Sequence, residues 1–330
     1  MTDAETAEPE LETTWDGLPI AAENPRGAGV VVRRPGPDGP EFLLLHRHHE
    51  GPAYEGDWAW TSPSGARQPG EPVLTGAERE LAEEAGLHGL DLRPIDLSGG
   101  WAVFAVQVSA ATQAVIIDPE HDRFEWLRPD QALVRLAPAS VADNFRRGAA
   151  TPLPDLAFRP LSRADLPAML GWLSTPHVRE GWRDRLPDLA AAERKYGPRI
   201  DGADPVRVHV LLVDGVEAGF LQHYPTAAYP QYADALDDAE AVAIDYAIGD
   251  PDWVGLGVGP QAIWVYVRDV VLPAHPAAPR VVATPEVGNE RSIRALEKAG
   301  FQRLRDITVP VTPQPRQEAL CVLDRARIFG

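Results

Sequence analysis

Ser64–Leu87 reads SGARQPGEPVLTGAERELAEEAGL. Pro72 is suited to begin a helix and Gly86 to end it. Between them Leu74, Ala77, Leu81 and Ala85 fall near one face, which supplies a core contact. Glu80, Glu83 and Glu84 stand three and four residues apart, so their carboxylates converge. Unpaired carboxylates repel one another, and a divalent cation removes that repulsion. Oxygen donors of this kind suit Mg²⁺ or Mn²⁺. Gly65 lets the preceding loop bring its backbone close to such an ion. Arg79 is placed to pair with Glu71 and hold loop and helix in register. The segment ERELAEE alone would read as a solvated polar face. The glycines and the distant Glu71 are what that reading leaves unexplained.

Gly65, Glu71, Arg79, Glu80, Glu83, Glu84 and Gly86, at this spacing, resemble the complete Nudix box. The resemblance implies an α/β/α sandwich that hydrolyses a diphosphate linked to another moiety, usually in a nucleotide. It implies Glu80 and Glu84 as metal ligands, with Glu83 assisting and Gly65 lining the ion. Glu83 and Glu84 are then also the catalytic carboxylates. A further ligand or base outside the box is common in this family, and Glu120 in DPEHDRFEW is the candidate here. Trp58 and Trp60 either stack on a base or pack in the core.

The chain has 330 residues, which favours two domains. No run is long and apolar enough to predict a membrane-spanning helix. The single cysteine, Cys321, excludes an internal disulfide and a cysteine metal cluster. The opening MTDAETAEPELETTWDG lacks the basic and apolar regions of a signal peptide, so a disordered acidic tail over 1–24 and a cytoplasmic enzyme are expected. A net charge of −18 argues against a nucleic-acid partner and is compatible with a cationic one, or simply with solubility.

Two segments read as independently folded. From about Gly27 to Arg135, short apolar strands surround one strong helix. An alanine- and proline-rich stretch follows, and the junction is placed at 149–155, giving domains 25–148 and 156–330. In the second segment VRVHVLLVDGVEAGFLQHY reads as a hairpin with Asp214-Gly215 at its tip, AVAIDYAIGD as a strand, and NERSIRALEKAG as a helix capped by Asn289.

VGLGVGPQAI places Gly255, Gly257 and Gly259 directly before a helix begun by Pro260. Open backbone N–H groups at such a terminus suit an anion such as pyrophosphate. On the strand before it, Val242, Ile244, Tyr246 and Ile248 share one face, while Ala243, Asp245 and Ala247 share the other. Asp245 therefore sits among small side chains where a substrate has room. A carboxylate there can orient an ammonium group and accept its proton.

The order of DLPAMLGWLSTPHVREGW, VDGVEAGFLQHY, AIDYAI, GLGVGPQAI and NERSIRALEKAGF resembles GNAT acetyltransferases, and more closely aminoglycoside 6'-N-acetyltransferases. This implies a GNAT fold, acetyl-CoA held by Gly255, Gly257, Val258, Gly259 and Asn289, and Asp245 as catalytic carboxylate. Asp237, Asp238 and Glu240 in the acidic loop would meet a polycationic amine. Trp182 and Tyr224 either pack against its rings or belong to the core. Two positions depart from the family pattern: Leu296 stands where a tyrosine often precedes EKxGF, and Thr284-Pro285 replaces the usual aspartate–proline.

The expected protein is a bifunctional α/β enzyme, a Nudix hydrolase fused to an acetyltransferase. Its expected cofactors are Mg²⁺ or Mn²⁺ and acetyl-CoA. Its expected substrates are a nucleoside diphosphate derivative and an aminoglycoside-like amine, which would make antibiotic resistance its role. Two alternatives stand beside it: acetylation of another amine, such as a siderophore lysine or a protein terminus, and a Nudix fold that only senses nucleotide.

Overall fold

A computed structural model of the chain describes residues 12–14, 17–48, 50–114, 116, 118–182, 185–309 and 315–330. Most of the expected N-terminal tail lies outside these. The part nearest the first domain is packed earlier than expected: Ala21 is fully buried and its N–H donates to the Arg67 carbonyl at 2.8 Å.

The first domain carries strands β1 (Gly27–Gly36), β2 (Gly39–Arg47), β3 (Trp60–Thr61) and β4 (Ser64–Ala66), helix α1 (Val73–Ala85), then β5 (Arg93–Asp96), β6 (Trp101–Gln107) and β7 (His121–Leu127). Helices α2 (Pro129–Arg135) and α3 (Ala139–Ala150) close it. The sheet path is β3-β2-β1-β6-β5, with β4 on β1 and β7 on β2. β1 and β6 run parallel from Gly27↔Trp101 to Arg33↔Gln107. Alternate residues of β1 divide between two cores. Val30 and Val32 meet Ala77 and Leu81 of α1, whereas Val31 meets Phe145 of α3 and Trp60. That is the expected α/β/α sandwich. Trp60 is core, and Trp58 is on the surface.

The second domain runs β8 (Leu156–Pro160), α4 (Leu166–Ser174), α5 (Pro176–Gly181), α6 (Leu189–Ile200), β9 (Arg207–Val213), β10 (Val216–Pro225), α7 (Pro230–Leu236) and β11 (Val242–Ile248). It continues with α8 (Val258–Tyr266), which passes through a π-helical turn at Val267–Val271 into α9 (Leu272–Ala274). β12 (Arg280–Ala283), α10 (Glu290–Lys298), β13 (Gln302–Val309), β14 (Arg316–Asp324) and α11 (Arg325–Ile328) complete it. The sheet order is β13-β14-β12-β11-β10-β9-β8. The hairpin turns at Asp214-Gly215, both at positive φ, 50° and 79°, as a two-residue turn of this hand requires. Among the described residues no helix is long and apolar enough to cross a membrane.

The two domains are not separate bodies, contrary to the sequence expectation. Val258, Ala262, Ile263, Trp264, Val265, Tyr266 and Val267 are all buried, and a helix apolar on every face needs cover on every face. One side of α8 packs on its own sheet. The other side meets the first domain: the Trp264 ring lies 5.7 Å from Phe104 of β6, and 4.5 Å from Phe329 of its own domain. Leu97 N–H donates to the Lys298 carbonyl at 3.1 Å, and Arg268 pairs with Asp91 at 2.6 Å. One continuous apolar cluster therefore runs from Val30 to Ile328.

The connection between domains takes part as well. Arg33 of β1 donates to the Thr151 carbonyl at 3.1 Å. The fully buried Gln261 of α8 donates through Nε2 to the carbonyls of Pro152 (2.9 Å) and Gly257 (3.1 Å).

Candidate functional sites

The first site is built where β4 meets α1. Pro72 precedes the helix, and Gly86 ends it in the left-handed region at φ 64°. Arg79 grips Glu71 with two bonds, Nε to Oε1 at 2.8 Å and Nη2 to Oε2 at 3.0 Å, and also donates to the Ala66 carbonyl at 3.0 Å. Loop and helix are thereby locked as the sequence predicted. Arg79 Nη1 further reaches Glu80 at 2.8 Å and Glu83 at 3.0 Å. A Cβ on Gly65 would fall 2.1 Å from Glu80 Oε1, so only glycine leaves the carboxylate its space.

Glu84 is buried, and its Oε2 accepts the Ser64 N–H at 2.7 Å. Burial, then the nearby Glu80, pushes its carboxyl well above the ordinary carboxylate range. Burial also pushes Glu80 up to about 7 against the pull of Arg79. A buried and a part-buried carboxyl that resist ionising side by side, next to a glycine cradle, fit a divalent cation. Glu83 points outward to Arg79. Among the described residues no three acidic, histidine or cysteine side chains are already gathered round one point.

His121 of β7 stands at this site and was not singled out from the sequence. Its Nε2 is buried without a hydrogen-bond partner, 4.0 Å from Glu84 Oε1. Desolvation holds its pKa below the usual imidazole value. Its neighbour Glu120, the candidate the sequence offered beside a plain surface-loop reading, bears on Glu80 through charge.

The second site lies where β11 and β12 part. Their parallel pairing lasts only for Val242↔Val281 and Ala243↔Val282. A cavity of about 790 Å³ opens there. It is lined by Asp245, Trp182, Tyr224, Gly255, Gly257, Gly259 and Asn289, so one space gathers most of the predicted residues. Gly255 and Gly257 take positive φ (84° and 82°), and Gly257 caps α8. Val258 is buried behind them. Asn289 caps α10, its Oδ1 accepting Ser292 N–H at 3.2 Å.

Asp245 accepts from Gln222 Nε2 at 2.7 Å, and Gln222 Oε1 accepts from Arg199 at 2.9 Å. That relay fixes the carboxylate's direction. Trp182 packs edge-on against Phe220 at 4.9 Å, and Tyr224 against Tyr229 at 5.3 Å. Tyr246 donates to the Ser292 carbonyl at 3.1 Å, and burial raises its pKa above the ordinary phenol value.

The acidic loop is placed elsewhere. Asp237, Asp238 and Glu240 do not line this cavity. Asp238 instead pairs with Arg280 at 2.5 Å and accepts the N–H groups of Glu240 and Ala241, each at 3.1 Å, which makes it a loop anchor. Glu286 and Glu318 line the cavity in its stead, facing each other across an isolated β-bridge. Burial raises the Glu318 carboxyl, and the charges of Asp245 and Glu286 raise it further. The available signal was a glutamate heading the apolar run ALCVL.

Residues 23–147 match the NUDIX domain family, and residues 162–309 match the acetyltransferase (GNAT) domain family. The chain is a NUDIX domain joined to a GNAT acetyltransferase domain, and both are enzyme families. Over 161 residues it is 26% identical to the aminoglycoside N(6')-acetyltransferase type 1 of Klebsiella pneumoniae, covering 48% of this chain and 79% of that protein. The same figures hold for the Serratia marcescens protein. Among solved structures, aminoglycoside acetyltransferase AAC(6')-Ib with coenzyme A is 25% identical with a TM-score of 0.47, covering 52% of this chain and 96% of that one.

Proposed function

We propose that the C-terminal domain transfers acetyl from acetyl-CoA to an amine of an aminoglycoside-like polycation, while the N-terminal domain hydrolyses a nucleoside diphosphate derivative. The observation that carries the first half is Asp245, aimed by the Gln222–Arg199 relay into the cavity that the Gly255–Gly259 turn also lines. The turn's backbone N–H groups receive the coenzyme pyrophosphate. Asp245 orients the acceptor ammonium and takes its proton. The amine nitrogen then bonds to the thioester carbonyl carbon, and the carbon–sulfur bond breaks. The departing thiolate takes up the second proton that the attacking nitrogen loses, so the products are the amide and coenzyme A. Glu286 and Glu318 give the acceptor side its negative charge.

In the N-terminal domain, Glu80, Glu84 and the Gly65 backbone would hold the divalent ion, with Glu83 beside them. When bound, that ion polarises the diphosphate and activates water. Arg79 keeps loop and helix in the register these ligands need.

The test pairs a panel of kanamycin-type and lysine-type amines with Asp245→Asn. Turnover should fall about 10²–10⁴-fold with coenzyme A affinity preserved. Undiminished turnover in the variant, or no aminoglycoside acetylated by the parent, defeats the reading. Glu84→Gln should abolish metal-dependent phosphate release, and unchanged release removes the hydrolase assignment.

A further inference from the structure

The buried imidazole of His121 has one nitrogen engaged and one not. Nδ1 lies 3.2 Å from both carboxylate oxygens of Asp118. Asp118 is itself fixed, because Oδ1 accepts the backbone N–H groups of Glu120 (2.7 Å) and His121 (3.0 Å). A carboxylate only accepts, so Nδ1 carries the hydrogen and the lone pair is left on Nε2. That lone pair is buried, faces Glu84 Oε1 at 4.0 Å, and has no donor. A buried acceptor without a donor is costly unless something else occupies it.

We propose that His121 is a ligand of the divalent ion in the N-terminal domain, binding through Nε2 beside Glu84. This rests on the metal reading of that site. Two metal–ligand bonds of about 2.1 Å span up to roughly 4.2 Å, so one ion reaches both atoms without a change of fold. Glu84 is held ready, with its other oxygen on the Ser64 N–H. Asp118 completes the carboxylate–histidine–metal arrangement that fixes a ring's tautomer and direction. The identity of the donor has a consequence. Carboxylates alone serve Mg²⁺, whereas an imidazole shifts preference toward Mn²⁺, Co²⁺ or Zn²⁺.

The experiment uses the full chain loaded with Mn²⁺. Pulsed EPR on the parent should show one imidazole-nitrogen coupling to the metal, a measurement that needs no variant to fold. The coupling should vanish in His121→Gln, and Mn²⁺ affinity by calorimetry should fall by about tenfold or more, with a smaller loss for Mg²⁺. Bound Mn²⁺ with no nitrogen coupling, or a coupling that survives His121→Gln, overturns the inference and leaves the carboxylate site standing. No Mn²⁺ or Mg²⁺ binding by the parent overturns the metal reading as well.

Discussion

Replacing Trp264 with alanine tests whether the two domains share one core. The indole is fully buried between Phe104 of one domain and Phe329 of the other, at 5.7 and 4.5 Å. Truncating a buried tryptophan costs about 3–5 kcal/mol. Its Nε1 has no hydrogen-bond partner, so removing that donor returns about 1 kcal/mol. The net loss is about 2–4 kcal/mol, or roughly 30- to 900-fold in the folding equilibrium. That is a large part of the 5–15 kcal/mol typical of a folded chain. Hydrogen exchange read by mass spectrometry resolves where the loss falls. Amides of β6 and of β11 should lose protection together by this amount. Trp58→Ala, at an indole 46% exposed, should change neither by more than about 0.5 kcal/mol. Unaltered protection of β6 beside a loosened α8 would show the domains to be independent and refute the shared core.

Gln261→Leu should raise the coenzyme A dissociation constant about threefold or more, because it frees the Gly257 turn from Pro152. The turnover number at saturating cofactor should hold, and calorimetry that finds unchanged affinity would count against the contact. Asp165 accepts from Arg159 at 2.7 and 2.8 Å and from Ser162, and Arg159 foremost lowers its pKa from 3.8 to about 2. A depressed carboxyl stabilises the fold fully above its unfolded value and loses that contribution as pH falls through the folded one. Melting of the parent should therefore approach that of Asp165→Asn between about pH 4 and pH 2. A gap between the two that stays constant over that range would argue against the pairing.

Local signals were legible where neighbours in sequence act on one another. Pro72 and Gly86 bounded α1, the Asp214-Gly215 tip fixed the hairpin, and Asn289 capped α10. The strand alternation that put Asp245 opposite Ile244 and Tyr246 held because side-chain direction in a strand is set by the backbone itself. Helix α3 was not read as a helix because only Ala142, Phe145 and Gly148 turn inward, too faint a stripe in an alanine- and proline-rich stretch. The acidic loop lies off the cavity for a different reason. Asp238 finds its partner in Arg280, and Glu318 is brought to the cavity by strand pairing with Glu286. No composition within the loop foretells such distant company. Likewise, α8 announced that it was apolar all round, but not that the second cover would come from the other domain.

The tether between the domains is made by main-chain oxygens, those of Thr151 and Pro152, and not by their side chains. Substitutions there leave the oxygens in place. An insertion or deletion does not, since each residue moves the path by about 3.8 Å and no hydrogen bond stretches that far. The joining segment is thus free to drift in spelling but held to one length, and a change of count rather than of letter is what would slacken the grip on the glycine turn.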